Sequence, residues 1–204
     1  MGTTAQRCIA DYTKTIRPRE LNDGILAFVT DSSAIKTSGA SALSIGATFS
    51  GNQKMTVDWI CKHHSDLGKE QLYAILKLRA EVFIVEQQCA YQDVDGQDLE
   101  GDTCHLMAWD GDQLVAYLRL LDPTSQGGDV VLGRVVIAPQ ARGQGLGHEL
   151  MEQALKQAEK YWPQTPIYLS AQAHLQGYYG RYGFAVAGEQ YLEDGIAHIG
   201  MRRP

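Results

Sequence analysis

The segment Arg142-Gly143-Gln144-Gly145-Leu146-Gly147 places three glycines at alternate positions, between a strand-like apolar run and an amphipathic helix pattern. Because glycine has no side chain, the backbone amides of Gly143 to His148 can approach the oxygens of an anion. The amides at a helix start point outward, and the positive end of the helix dipole lies there. Arg142 can add a charge-assisted contact. The spacing therefore predicts a phosphate-binding turn at the start of a helix.

Two common nucleotide-binding turns do not fit this segment. A Walker A loop ends in Gly-Lys-Ser/Thr, whereas Gly147 is followed by His148-Glu149 and supplies neither the lysine nor the hydroxyl. A dinucleotide-binding turn needs G-x-G-x-x-G, and the position of its third glycine is occupied by His148. A helix that simply begins after a flexible turn is the plain alternative, but glycine is costly there without a purpose.

The elements that position this turn follow from hydrophobic periodicity. Apolar residues recurring at three and four positions predict a helix from Leu72 to Val85, followed by a long polar loop from Gln87 to Asp102. Asp110-Gly111 lies between two apolar runs and predicts a hairpin. Strands interleaved with helices indicate an α+β or α/β domain around a mixed sheet. The further predicted elements are strands 57–62, 104–109, 113–121, 129–137 and 167–170, helices 146–161 and 173–182, and a closing strand pair over 185–202 with a turn at Glu193-Asp194-Gly195.

The chain divides near Met55. The first 54 residues are rich in Thr, Ser, Gly and Ala, a composition that supplies little core volume. We expect residues 1–54 to be a low-complexity extension, either disordered or not native to the protein, and residues 55–204 to form one domain.

Composition excludes several classes. The net charge of −6 argues against nucleic-acid binding and slightly favours a cationic substrate. No apolar run is long enough to span a bilayer, and charged residues interrupt any signal-peptide core. Four cysteines without C-x-x-C spacing indicate reduced thiols in the cytoplasm. Cys104-His105 and His63-His64 are adjacent pairs whose side chains would point to opposite faces of a strand, so no metal site is predicted.

Two motifs in register resemble the GNAT superfamily of N-acetyltransferases. In Val135-Val136-Ile137-Ala138-Pro139-Gln140-Ala141-Arg142-Gly143-Gln144-Gly145-Leu146-Gly147, the residues Arg142, Gly145 and Gly147 fill the family pattern Gln/Arg-x-x-Gly-x-Gly/Ala. Tyr179-Gly180-Arg181-Tyr182-Gly183-Phe184 is similar to the second motif, a helical tyrosine followed by Gly-Phe. The resemblance covers 55–204. A narrower similarity, to the ElaA-like subgroup, rests on Arg79, Val82–Gln87, Tyr91, Asp95-Gly96, Asp98, Thr103, His105-Leu106 and Gly133–Val136.

This resemblance implies the GNAT fold, a mixed and mostly antiparallel sheet with helices on both faces. It implies acetyl-CoA as acyl donor, with the pyrophosphate on Arg142 to His148. Strand residues Val135, Val136 and Ile137 would expose backbone groups to pantetheine, and an N–H near Val136 could stabilise oxyanion charge. Where the family often has asparagine, this sequence has Gln172, and that cofactor contact is in doubt.

The resemblance also implies catalytic roles. Tyr179 is the predicted general acid for the departing thiolate, since a phenol is protonated at neutral pH, with Tyr182 as a rival and Tyr178 as a packing residue. The candidates for general base are Glu86, Asp95 and His105. Each has a plain alternative: Glu86 can pair with Arg79, Asp95 can turn the loop, and His105 can be a hydrogen-bonded strand residue.

The predicted function is acetyl transfer from acetyl-CoA to a primary amine, on a small molecule or peptide, in a ternary complex. One alternative is a non-catalytic acyl-CoA-binding or sensing module, which the missing obvious base favours. The other is an acyl-homoserine-lactone synthase, because the Arg-x-x-x-Phe pattern at Arg79 and Phe83 is similar to those enzymes, although they generally lack the full glycine signature. Homodimerisation is compatible with the superfamily. The acceptor pocket is expected between loop 87–102 and the terminal strands.

Overall fold

Seven strands form one sheet in the computed structural model, which describes residues 55–193 and 195–204. Their spatial order is β1-β2-β3-β4-β5-β7-β6. The strands are β1 (Asp58–His63), β2 (Cys104–Asp110), β3 (Gln113–Leu121), β4 (Val130–Ile137), β5 (Ile167–Gln172), β6 (Ala185–Glu193) and β7 (Ile196–Arg203).

Only one neighbouring pair of strands is parallel. Strands β1 to β4 run antiparallel to their neighbours, as do β5 with β7 and β7 with β6. β4 and β5 are parallel, and they pair only over Val130–Leu132 and Ile167–Leu169. β4 continues to Ile137 without β5 beside it. The sheet therefore opens in its middle, beyond Leu132.

Helices lie on both faces of the sheet. Helix α1 (Lys69–Arg79) continues as a wider π-helical segment, Ala80–Glu86, and contacts β3 and β4. Helix α2 (Leu146–Tyr161) follows the glycine turn and buries Leu150, Met151, Ala154 and Ala158 on one stripe. The short helix α3 (Gln176–Gly180) contacts β5. The core lies between these helices and the buried residues of β2 to β5.

The predicted fold class is confirmed, and so are the predicted strands and the hairpin around Gly111, to within two residues at most ends. The prediction of a helix from Ala173 to Tyr182 was too long, because Ala173–Leu175 form a 3-10 turn and only Gln176–Gly180 are α-helical. The predicted turn at Glu193-Asp194-Gly195 is described only at its ends, where Gly195 has a φ of 82°, since Asp194 lies outside the described residues. The predictions for residues 1–54 also lie outside them.

Within 55–193 and 195–204, no helix has the length and apolar character needed to cross a membrane. In the same part of the chain, no group of three or more His, Cys, Asp or Glu side chains is placed to hold a metal ion.

Candidate functional site

The glycine turn has the geometry of an anion site. Gly143 has a φ of 74° and Gly145 a φ of 80°, in the left-handed region that side chains other than glycine rarely adopt. Gly145 is the N-cap of α2, and a Cβ built on either glycine would meet nothing within 4 Å. The turn is thus open on its outer side. Leu146, by contrast, is buried and anchors the first turn of the helix in the core.

The free donors of this turn form a run of five amides. No hydrogen bond occupies the N–H groups of Gly143, Gln144, Gly145, Leu146 and Gly147 within the described part of the chain. The amide of His148, also predicted to face the anion, donates to the carbonyl of Gly145 at 2.9 Å. The run of free amides is therefore one residue shorter than the sequence predicted.

The guanidinium of Arg142 is committed to protein partners. It forms a two-pronged ion pair with Glu86 at 2.7 and 2.8 Å, and its Nε donates to the carbonyl of Ile137 at 3.2 Å. The pair joins the end of the π-helical segment to the turn. The plain alternative for Glu86, an ion pair with Arg79, does not occur, because Arg79 binds Asp93 and Asp98 instead. Glu86 instead positions the residue that opens the glycine turn.

Replacing Gly145 with alanine tests the turn. Alanine in the left-handed region costs about 1–2 kcal/mol, and its Cβ would stand in the open space outside the amides. We expect the affinity for acetyl-CoA in isothermal titration to fall by roughly tenfold or more. Gly177→Ala is the matched control, since Gly177 also has open space around it but lies inside α3. Equal affinity of both variants would contradict a phosphate role for the turn.

The opening between β4 and β5 carries a backbone bulge. The register between β3 and β4 shifts between Tyr117 and Arg119, and the residue in the bulge, Arg134, has a φ of 54°. From Gly133 onward, β4 has no strand partner on its β5 side. The side chains of Val136 and Ile137 are buried, whereas Val135 lines the opening. The half-exposed part of β4 beside the opening is thus Gly133 to Val135, whereas Val136 and Ile137, which were predicted to expose backbone to pantetheine, are buried as whole residues.

A cavity of about 450 Å³ occupies this opening. Its size is that of a small-molecule site. One side consists of residues from β3, β4 and the loop 87–102, and the other of residues from β5, α3, β6 and β7. The lining residues used below are Tyr91, Asp95, Arg119, Gly133, Arg134, Val135, Tyr168, Ser170, Gln172, His174, Tyr179, Glu193 and His198.

Tyr179 places its phenol on this cavity. The residue is 5% exposed and lines the cavity. Burial, followed by the neighbouring phenol of Tyr182, raises the pKa of Tyr179 above its ordinary value. The hydroxyl therefore stays protonated at neutral pH, as a proton donor requires. Gln172, at the end of β5, lines the same cavity.

Tyr178 and Tyr182 fasten the second motif to the glycine turn. The Tyr178 hydroxyl donates to the carbonyl of Gly147 at 2.7 Å, and the Tyr182 hydroxyl lies 2.5 Å from Nδ1 of His148. Neither tyrosine lines the cavity. They connect α3 with the start of α2, which explains why the two sequence motifs occur together. The structure thus separates Tyr179 from its predicted rival.

The three candidate bases have different surroundings. Glu86 is paired with Arg142, as described above. His105 is fully buried: its Nε2 donates to the carbonyl of Asp98 and its Nδ1 accepts from the Tyr117 hydroxyl, both at 2.8 Å. Burial lowers the pKa of His105 to about 4. Asp95 lines the cavity, but its carboxylate binds Arg119 and Arg134. None of the three offers an unengaged carboxylate or imidazole to the cavity.

Three arginines and three aspartates fix the loop 87–102 beside the cavity. Arg79 binds Asp93 at 2.8 Å and Asp98 at 2.6 Å, and Arg119 binds Asp95 and Asp98. Arg134, in the bulge, adds bonds to Asp93 and Asp95. We call this the Arg–Asp cluster. It joins the loop to α1, β3 and β4, and its charges sum to zero.

The Arg–Asp cluster makes stability depend on acidity. Burial alone would raise the pKa values of Asp95 and Asp98, but hydrogen bonds from Arg119 and Arg79 respectively outweigh it and lower both. Such carboxylates stabilise the fold above the unfolded-state pKa of about 4, and this stabilisation is lost as the pH falls below it. We expect the urea midpoint to fall between about pH 5 and pH 3, and Asp98→Asn to flatten that slope. An unchanged slope in the variant would contradict this account.

Comparison with known proteins assigns the class. A model of the Acetyltransferase (GNAT) domain matches residues 63–203, so the chain belongs to the GNAT acetyltransferase family of acyl-CoA-dependent acyltransferases. Protein ElaA of Escherichia coli K12 is 49% identical over 147 residues, which are 72% of this chain and 96% of that protein. The resemblance to the GNAT superfamily and its ElaA-like subgroup is confirmed.

Solved structures agree with this assignment. The crystal structure of an acyl-CoA N-acyltransferase from Pseudomonas aeruginosa is 66% identical, with a TM-score of 0.72, and covers 73% of this chain and 100% of that one. The crystal structure of Escherichia coli ElaA is 48% identical, with a TM-score of 0.70 and the same coverage.

The cavity lies between the loop 87–102 and the terminal strands, the region where the sequence predicts an acceptor pocket, but four of its lining residues were not predicted. Tyr168, Ser170, Glu193 and His198 were not singled out. The alternation of polar residues along β5 to β7 was the available signal, but β6 is exposed throughout and alternation there does not identify an inner face.

Proposed function

We propose that the protein transfers an acetyl group from acetyl-CoA to a primary amine, of a small molecule or a peptide, in a ternary complex. The observation that supports this most is the opening beyond Leu132. Gly133 to Val135 of β4 and Tyr179 of α3 line this opening, and the run of five amides follows the end of β4 and is joined to α3 by the hydrogen bond from Tyr178 to Gly147. An acyl-CoA donor would need the amides for its pyrophosphate, the free strand edge of β4 for its pantetheine arm and the phenol beside its thioester.

The proposed donor site uses backbone more than side chains. The pyrophosphate would accept from the amides of Gly143 to Gly147, and pantetheine would take the place of a strand beside β4 from Gly133 to Val135. The thioester then lies in the cavity. An N–H of β4 near Val136 is the proposed donor to the carbonyl oxygen as negative charge develops on it.

The proposed reaction forms an amide bond and breaks a thioester bond. The uncharged amine attacks the carbonyl carbon, the tetrahedral intermediate collapses, and the coenzyme A sulfur leaves as the Tyr179 hydroxyl protonates it. Because Glu86, Asp95 and His105 are all engaged, we propose that water in the cavity carries the amine's proton to solvent. Solvent then returns a proton to Tyr179.

Acetyl-CoA binding and thiol release test this function separately. We expect isothermal titration to show binding, and a thiol-release assay with polyamines, amino acids, aminoglycosides and peptides to show release that depends on the amine. Failure to bind at high micromolar acetyl-CoA would contradict the proposal. Comparing acetyl-CoA with longer acyl-CoA esters measures the preference for the acyl group.

A non-catalytic acyl-CoA-binding module is the second candidate. The engagement of all three candidate bases in protein contacts favours it. It predicts tight acetyl-CoA binding with no thiol release for any amine in the panel.

A further inference from the structure

Glu193 differs from the other charged groups of the cavity. Four formally charged side chains line it, namely Asp95, Arg119, Arg134 and Glu193. The first three belong to the Arg–Asp cluster, in which every charge is matched by an opposite one. Glu193 has no ion-pair partner within 55–193 and 195–204. The cavity therefore carries one uncompensated negative charge.

The carboxylate of Glu193 keeps most of its hydrogen-bonding capacity. Its Oε2 lies 3.4 Å from the Ser170 hydroxyl, which is too long for a strong hydrogen bond, and that hydroxyl is already 2.5 Å from the Tyr191 hydroxyl. An ionised carboxylate can accept up to about four hydrogen bonds. The site therefore offers acceptors to a cationic donor.

The sheet order separates this charge from the place of reaction. Glu193 ends β6, the edge strand, and β7 and β5 lie between it and β4. The thioester is proposed to lie beside β4. An amine that attacks there must be uncharged, so it is not the group held by Glu193. The Glu193 carboxylate, on the side of the cavity away from β4, instead suits a second, protonated amine of the acceptor molecule.

We propose that Glu193 anchors a second cationic group of the acceptor, so that the acceptors are diamines or polyamines rather than monoamines or amino acids. This inference rests on the proposed function. His174 and His198 also line the cavity, and an imidazole adds no charge unless it is protonated. The arginines on the other side are neutralised by their aspartates and do not repel a dication.

Three acceptors of similar length test the class. Cadaverine has an amine at each end, pentylamine replaces one amine with a methyl group, and δ-aminovalerate replaces it with a carboxylate. We expect kcat/KM from thiol release to be highest for cadaverine, by roughly ten- to hundredfold, which is the usual effect of one charge-assisted hydrogen bond. Putrescine and spermidine then measure the span between the two nitrogen sites.

The substitution Glu193→Gln tests the role of this residue. Its matched control is Glu189→Gln, because Glu189 lies on the same exposed strand but does not line the cavity. We expect Glu193→Gln to raise KM for cadaverine about tenfold or more, with kcat, the rate with pentylamine and acetyl-CoA affinity unchanged.

An equal loss of kcat for both amines would make Glu193 a base and overturn the anchor. No effect, or a preference for δ-aminovalerate, would also overturn it. If no amine supports release, the proposed function itself fails.

Discussion

Replacing Tyr179 with phenylalanine is expected to lower kcat by roughly 10²–10⁴-fold, the usual contribution of a positioned general acid. The change removes only the hydroxyl of a residue that lines the cavity. Packing against Phe184 is retained, since the rings meet edge to face at 6.2 Å. Acetyl-CoA affinity, measured by isothermal titration, should therefore change little.

Tyr182→Phe is the matched control for this experiment. Its hydroxyl contacts His148 and not the cavity, so kcat should fall much less than in Tyr179→Phe. If the thiolate leaves without being protonated, the two variants will have similar kcat values, and this result would contradict the role of Tyr179 as general acid. Normal turnover with weakened acetyl-CoA binding in Tyr179→Phe would assign the phenol to binding and not to proton transfer.

The backbone of the glycine turn could be predicted because local sequence determines it, whereas Tyr179 was singled out only through the family resemblance. Left-handed backbone at Gly143 and Gly145 needs glycine, and a helix start exposes amides wherever it occurs. The hairpin at Gly111 is equally local. These features need no knowledge of distant residues, so spacing alone was informative.

The ion pairs could not be predicted, because each depends on the tertiary fold. Glu86 was expected beside Arg79, seven positions earlier in the chain, but it binds Arg142 across 56 positions of sequence. Arg134 was predicted only as one residue of the strand 129–137. A strand pattern does not show that a bulge turns it toward the loop 87–102. Charged residues have many candidate partners, and only the sheet register selects among them.

The proposed acceptor pocket could be predicted only as a region, between the loop 87–102 and the terminal strands, because its residues also depend on the tertiary fold. The pocket lies where β4 and β5 separate, and the length of their pairing is not encoded in either strand alone. Glu193 reaches that pocket from the edge strand β6, whose residues are all exposed. The proposed acceptor site thus depends on long-range geometry, whereas the proposed donor site depends on a local turn.

Removing the Arg79 side chain is expected to have the largest effect on stability. Arg79 is fully buried and binds Asp93 and Asp98, which are themselves buried. Arg79→Met keeps much of the volume but leaves two carboxylates without this partner, and breaking a buried ion pair costs about 3–5 kcal/mol. Since domains are stable by only about 5–15 kcal/mol, urea unfolding should show a large loss.

The substitution Arg202→Met tests whether the loss of stability depends on the burial of an ion pair or on ion pairing alone. Arg202 also forms a two-pronged bond with an aspartate, Asp129, at 2.8 and 2.9 Å, but it lies at the surface. Water solvates both charges after the change, so the free energy of unfolding should hardly move. Equal losses in the two variants would show that the Arg–Asp cluster is no more than a set of surface pairs. A loss confined to Arg79→Met would show that buried ion pairs hold the loop 87–102 in place, and with it this wall of the cavity.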